Sequence, residues 1–262
     1  MEGLPRDAVE VETRAIELVS GQAEQLIQEY LRRFGVVVST DHARELFPDY
    51  AASLESKLRY AGAVQHSAAY ISDMVFGQVL QGEPGGNALF TAGGTGAGKT
   101  SAILQNIETG QAMAGARVIY DSNFNSFKSA LAKVELALKA ECTVSVIFVH
   151  RNPVEAYLEG VLPRALEQGR TVSIQGHLRM HKDSRGTFLK MQRRLQGNEK
   201  VAFTVLSNAG HESEVFKADV DYLRAVTYDD DAVCAVIRKG LDDAYTEGKI
   251  PQSLYEISRG GL

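Results

Sequence analysis

Gly93-Gly94-Thr95-Gly96-Ala97-Gly98-Lys99-Thr100 fits the spacing G-x-x-x-x-G-K-[ST] of a phosphate-binding loop. Asn87-Ala88-Leu89-Phe90-Thr91 before it reads as a short buried strand, and Ser101-Ala102-Ile103-Leu104-Gln105 after it as the opening of a helix. That strand–loop–helix context is what the motif requires. Glycines let the backbone curl so that successive N–H groups of Gly94, Thr95, Gly96, Ala97, Gly98, Lys99, Thr100 and Ser101 converge on phosphate oxygens. The helix N-terminus adds unpaired donors and a positive dipole end. Lys99 is expected to reach the β- and γ-phosphates, and the Thr100 hydroxyl to bind Mg²⁺. The loop points to a nucleoside triphosphate and leaves the acceptor of the phosphate open.

Outward from the loop, strand-like runs alternate with helical patterns. Val36–Val38, Arg117–Asp121, Val144–His150 and Val201–Leu206 read as strands beside the one that leads into the loop. Residues 7–34, most of 41–82, 127–140, 153–168, 183–196 and 229–243 carry helical periodicity. Ser20-Gly21 is a candidate break in the first helix, Asp41 or Thr40 a candidate cap of the second, and Pro163 a kink or stop. The alternation predicts an α/β fold: a mainly parallel five-stranded sheet with helices on both faces.

Charge and composition narrow the function classes. The chain has 262 residues and a net charge of −5, which weighs against bulk binding to nucleic acid or anionic membrane. The apolar stretches are too short to span a bilayer, and Met1–Asp7 lacks a signal-peptide pattern, so a cytoplasmic protein is expected; a delivery signal without hydropathic character is invisible to this reading. Cys142 and Cys234 read as buried thiols, and no Cys or His spacing suggests a zinc site, His177 and His181 included.

In parallel sheets ligands bind beyond the carboxyl ends of the strands. Polar residues just after each strand are therefore the site candidates: Asp41, Asp121 with Ser122 and Asn123, His150 with Arg151, and Ser207 with Asn208. Asp41 is a candidate general base for an acceptor hydroxyl, against the plainer reading of a helix cap. Asp121 is a candidate metal-organising or acceptor-orienting carboxylate, and Ser207 and Asn208 are the nearest candidates for the nucleotide base. A basic region over 151–194 follows the fourth strand, where a mobile lid is expected at about 151–185. Arg164 and Arg170 flank its break at Glu167-Gln168-Gly169 and are the candidates to neutralise a transferring phosphoryl group.

Three segments together resemble the zeta toxins, small-molecule kinases of bacterial toxin–antitoxin systems. They are the phosphate loop from Phe90 to Thr100, the stretch Ser39-Thr40-Asp41-His42-Ala43-Arg44-Glu45-Leu46-Phe47-Pro48-Asp49-Tyr50, and the stretch from Leu162-Pro163-Arg164 to Gly169-Arg170-Thr171-Val172. The resemblance spans roughly residues 35–210 and implies a P-loop kinase domain over 35–262, with residues 1–34 as a helical extension. It implies ATP or GTP with Mg²⁺, Asp41 as base, Arg164 and Arg170 on phosphates, and His66, Asp121 and Asn123 near the acceptor. The implied acceptor is a hydroxyl of a nucleotide sugar such as UDP-N-acetylglucosamine, and an antitoxin is a candidate partner. Two departures stand out. The Asp-bearing strand precedes the phosphate loop here, which implies the order 36–38, 117–121, phosphate-loop strand, 144–149, 201–206 across the sheet. The family's Glu-Gly-Thr is here Asp121-Ser122-Asn123, which leaves the acceptor open. Kinases of another nucleotide such as NAD, or of a polynucleotide 5′-hydroxyl, and a non-catalytic nucleotide-gated binding module remain alternatives.

Overall fold

The computed structural model describes residues 5–208 and 215–260. Among them are strands β1 (Val37–Val38), β2 (Asn87–Ala92), β3 (Ala116–Asp121), β4 (Thr143–His150), β5 (Val201–Ser207) and β6 (Phe216–Ala218). They form one sheet in the order β1-β3-β2-β4-β5-β6. The first five strands are parallel and run in the order that the chain's departure from the zeta arrangement implied. The five-stranded expectation is one strand short. β6 pairs antiparallel to β5 at the edge, and its three residues are too few to carry an alternating pattern.

Period-two alternation sends the strand side chains to two cores. Leu89, Ile119, Ile147, Val149 and Leu206 face helix α6 (Lys99–Gln105) and α7 (Ile107–Ala114). Ala88, Phe90, Val118, Val146 and Phe148 face the larger core with α1 (Arg6–Phe34), α5 (Gln65–Val79), α8 (Phe127–Lys139) and α11 (Ile174–Arg194). The first helix kinks at Gln22, next to the Ser20-Gly21 break read from sequence. It buries Val11, Ala15, Leu26, Ile27 and Tyr30 in the core shared with the sheet. Three short helices, α2 (Thr40–Arg44), α3 (Pro48–Ala51) and α4 (Leu54–Tyr60), connect β1 to α5.

A third core holds the lid. After β4 come a single turn α9 (Pro153–Glu155), a π-helical segment Ala156–Val161 and α10 (Leu162–Gln168). Pro163 sits in the first turn of α10, and the wider register just before it absorbs the backbone bond that proline cannot make. Tyr157, Val161, Ala165 and Ile174 pack on Val233, Ile237 and Leu241 of α13 (Asp230–Thr246) and Leu254 of α14 (Gln252–Arg259). A short α12 (Val220–Ala225) joins β6 to that pair. The helix expected at 183–196 starts earlier, at Ile174, because the Ser173 hydroxyl accepts the Gly176 N–H and caps it there. Both cysteines are free thiols; Cys142 is buried and Cys234 half-buried. No described helix is long and apolar enough to cross a membrane.

Candidate functional site

The parallel register carries the ends of β1, β3, β2, β4 and β5 to one edge of the sheet. Val38 is level with Tyr120, Thr91 with Asp121, and His150 with Ser207. The phosphate loop rises from β2 at that edge. Gly93, Gly96 and Gly98 all have positive φ (138°, 76° and 71°), which only glycine adopts freely. At Gly94 a side chain would collide with the His181 ring, whose Nε2 lies 3.0 Å from the Thr95 carbonyl. Asn208 donates from Nδ2 to the Ala97 carbonyl at 2.9 Å, so the end of β5 braces the loop.

Lys99 opens α6 with its ammonium 3.1 Å from Asn123 Oδ1 and 3.8 Å from Asp121 Oδ1. Burial pulls its pKa below the ordinary lysine value, while Asp121 pulls it back up and Arg164 down again. Thr91 Oγ1 donates to Asp121, which fixes that carboxylate at the end of β3.

Asp41 arrives from the opposite edge of the site. The cap of α2 is Ser39, whose hydroxyl accepts the His42 N–H at 3.1 Å; the alternative caps read from sequence, Asp41 and Thr40, do not fill that role. The Asp41 carboxylate is thereby left for side-chain partners. Arg44, one helical turn on, binds its Oδ1 at 2.9 Å, and Arg170 of the lid binds its Oδ2. The strand end that carries this turn is propped by the first helix. The Tyr30 hydroxyl donates to the Val37 carbonyl at 2.9 Å and accepts the Ser39 N–H at 2.8 Å. Burial raises the Tyr30 pKa to about 12, so it remains a neutral donor.

Two cavities meet at these groups. The larger, about 610 Å³, lies between the phosphate loop and the lid. Arg44, Lys99, Arg151, Arg164 and Arg170 reach it, against the carboxylates Asp41, Asp121 and Glu159. Burial lowers the pKa of Arg44, Arg164 and Arg170, yet guanidinium stays charged at neutral pH. Arg44 Nε, Arg151 Nε, Arg164 Nε and Thr171 Oγ1 are buried without a hydrogen-bond partner, and all four side chains line this cavity. Unspent buried donors around a cationic cleft fit a polyphosphate, whose oxygens are acceptors alone. Thr100 also lines it, and Asp121 stands beside Lys99, a donor set of the hard oxygen type that suits Mg²⁺.

The second cavity, about 400 Å³, lies between α5 and α8 beyond the ends of β1 and β3. Asp41, Arg44, Lys99, Asp121, Asn123 and Met180 form the wall common to both. Met180 reaches across from α11: Thr95 Oγ1 is 3.0 Å and Asn123 Nδ2 3.6 Å from its sulfur.

The structure thus brings Asp41, Lys99, Thr100, Asp121, Asn123, Arg164 and Arg170 to one place. His66 lies outside both cavities: its side chain is 81% exposed and 4.0 Å from Glu12, and its neighbour Gln65 lines the smaller cavity instead. Arg151, a strand-end candidate, also lines the larger cavity, and Arg44 belongs to the site although the sequence did not single it out. The i,i+3 spacing of Arg44 from Asp41 was the available signal; nothing local marks Met180. His150 is held between the hydroxyls of Tyr228 and Tyr222 at 2.8 and 3.0 Å. No group of described side chains could hold a metal through His, Cys and carboxylates alone.

No protein-family model matches the chain, and no curated protein does. Among solved structures it is similar to one from the PezAT chromosomal toxin–antitoxin system of the human pathogen Streptococcus pneumoniae. The identity is 12% and the TM-score 0.43, over 93% of this chain and 84% of that one. A likeness this slight is silent on substrate, and chemistry has to come from the side chains themselves.

Proposed function

We propose that this chain is a phosphotransferase of zeta-toxin type, moving the γ-phosphoryl of ATP or GTP to an alcohol. The observation that carries the reading is the shared wall: the carboxylates Asp41 and Asp121 and the Lys99 ammonium stand between a cationic cavity at the phosphate loop and a second, polar cavity. In this reading the loop amides and Lys99 hold the donor phosphates in the larger cavity, and the acceptor enters the smaller one. Arg170, which holds Asp41 Oδ2 in the absence of nucleotide, turns to the phosphates; the acceptor oxygen then bonds to the γ-phosphorus as the bond to the leaving nucleoside diphosphate breaks, and its proton passes to the freed Oδ2. Arg44 holds Oδ1 and fixes the carboxylate's orientation. Arg164 and Arg170 balance the charge spread over the equatorial oxygens. Mg²⁺, with Thr100 and Asp121 as its protein donors, would neutralise charge on the donor phosphates. Asn208, whose amide braces the loop at Ala97, remains the candidate for the nucleoside end in this reading.

The acceptor suggested by the sequence resemblance is a nucleotide sugar such as UDP-N-acetylglucosamine, and the same resemblance suggests toxicity, an antitoxin partner and a cytoplasmic site of action. Residues 1–34 then serve as a layer that supports the Asp41 turn through Tyr30. Mass spectrometry of the protein incubated with ATP, Mg²⁺ and a panel of nucleotide sugars, NAD and a 5′-hydroxyl oligonucleotide tests this. A product heavier by one phosphate, absent with Asp41→Ala, is expected. Bound ATP with no product on any acceptor would favour a nucleotide-gated binding module.

A further inference from the structure

Helix α11 sends two consecutive side chains, Met180 and His181, to one residue of the phosphate loop. His181 Nε2 lies 3.0 Å from the Thr95 carbonyl, and the Thr95 hydroxyl donates to the Met180 sulfur at 3.0 Å. Thr95 is buried, so its hydroxyl needs a partner within the protein, and a thioether is a weak one.

The same sulfur meets Asn123. Nδ2 of that amide is 3.6 Å from Met180 Sδ, and Oδ1 accepts the Lys99 ammonium at 3.1 Å. Lysine carries donors only, so Lys99 dictates which end of the amide faces it. The Nδ2 end then faces the thioether, which accepts and never donates. Turning the amide over would set donors against the ammonium and oxygen against sulfur. Asn123 has little room to shift. The next residue, Phe124, is buried and holds a left-handed backbone with φ 60°, which a bulky residue adopts only where its surroundings impose it. Lys99 therefore has two anchors of different kinds. Asp121, 3.8 Å away, supplies charge, and the shorter bond to Asn123 supplies direction.

We propose that Met180 is a positioning residue for the phosphate site. Its sulfur orients the Asn123 amide, and through it the Lys99 ammonium, while it holds the Thr95 turn of the loop. The proposal rests on the reading of that loop as a nucleoside triphosphate site and not on transfer to an acceptor.

Calorimetric binding of a non-hydrolysable ATP analogue with Mg²⁺ to the full chain tests this without turnover. Met180→Leu keeps the volume and removes the acceptor; Met180→Gln keeps the length and ends in an accepting oxygen. Met180→Leu should weaken binding about tenfold, the scale of a buried donor left without a partner. Met180→Gln should stay within about threefold of wild type. This order separates the acceptor from packing, because a purely apolar role at this half-buried position would make glutamine the worse replacement. Asn123→Ala should lose about as much as Met180→Leu, and the double variant little more than the weaker single one, since both break one chain of contacts. Wild-type affinity in Met180→Leu, weaker binding by Met180→Gln than by Met180→Leu, or losses that add in the double variant would each overturn the assignment. A wild type that binds no analogue would sink the phosphate-site reading and the role of Met180 together. The expected binding series without phosphoryl transfer to any acceptor would sink the kinase reading alone.

Discussion

Acid should unfold this protein through two histidines of α11, one joined to the turn after β4 and the other to the phosphate loop. His177 is fully buried, with Nε2 2.8 Å from the Pro153 carbonyl, and His181 Nε2 lies 3.0 Å from the Thr95 carbonyl. Their rings are 4.4 Å apart. Burial lowers the pKa of His177 from 6.5 to about 4; burial and then the neighbouring His177 lower that of His181 to about 3. Both folded values lie below the unfolded one, so between pH 6.5 and about 4 the unfolded chain binds more protons and stability falls as pH falls. At pH 5 the chain sits about 1.5 units below the unfolded value, which is about 2 kcal/mol for each histidine. About 4 kcal/mol together is a large part of a typical 5–15 kcal/mol stability. At about 2–4 °C per kcal/mol for a chain of this size, the melting temperature should drop by roughly 10 °C between pH 7.5 and pH 5. Thermal unfolding of wild type and of the double variant His177→Gln, His181→Gln isolates the effect, because carboxylate titration is common to both. Each amide keeps an N–H donor and does not titrate. The variant should lose about 10 °C less than wild type over that range. Equal losses in the two proteins would refute the assignment.

Asp41→Asn should cut phosphoryl transfer at least about a hundredfold with ATP affinity little changed, read by product mass and by nucleotide titration. Lys99→Ala should instead abolish transfer and weaken binding of the ATP analogue, while circular dichroism stays that of wild type. Tyr30→Phe strands the buried Ser39 N–H, 2.8 Å from the lost hydroxyl, and should lower stability by about 1–3 kcal/mol in denaturant titration, with a loss of turnover as the Asp41 turn loosens. Gly160→Ala places a methyl 2.6 Å from the Gly96 carbonyl, so the lid should no longer seat on the loop. Faster proteolysis within 156–172 than in wild type is the expected readout, and wild-type protection would contradict that contact.

The candidate site was partly legible in the chain because its chemistry is local. A loop that curls on glycines with a lysine and a threonine at its end needs no distant partner to be recognised, and β-branched runs ending in Asp121 and His150 mark strands and their exits. The strand order was less local: it came from the resemblance to the zeta arrangement, with the Asp-bearing strand moved ahead of the loop. Edge strand β6, of three residues, was not legible, since its place is set by pairing with β5, whereas the early start of α11 carried a local signal in the Ser173 cap. His66 and Gln65 show the limit most sharply. A one-residue step on a helix turns a side chain by about 100°, and only packing against α1 decides that Gln65 faces the cavity and His66 faces Glu12.

By itself the sequence determined the parallel α/β architecture, the phosphate loop and the residue types able to move a phosphoryl group, because backbone periodicity and glycine geometry act over a few residues. Tertiary structure alone decided charge placement. It put Arg44 and Arg170 on the two oxygens of Asp41, left buried donors unspent around one cavity, and paired every cation in the other. Electrostatic character depends on distance and burial between residues as far apart in the chain as Asp41 and Arg170, which no local pattern encodes.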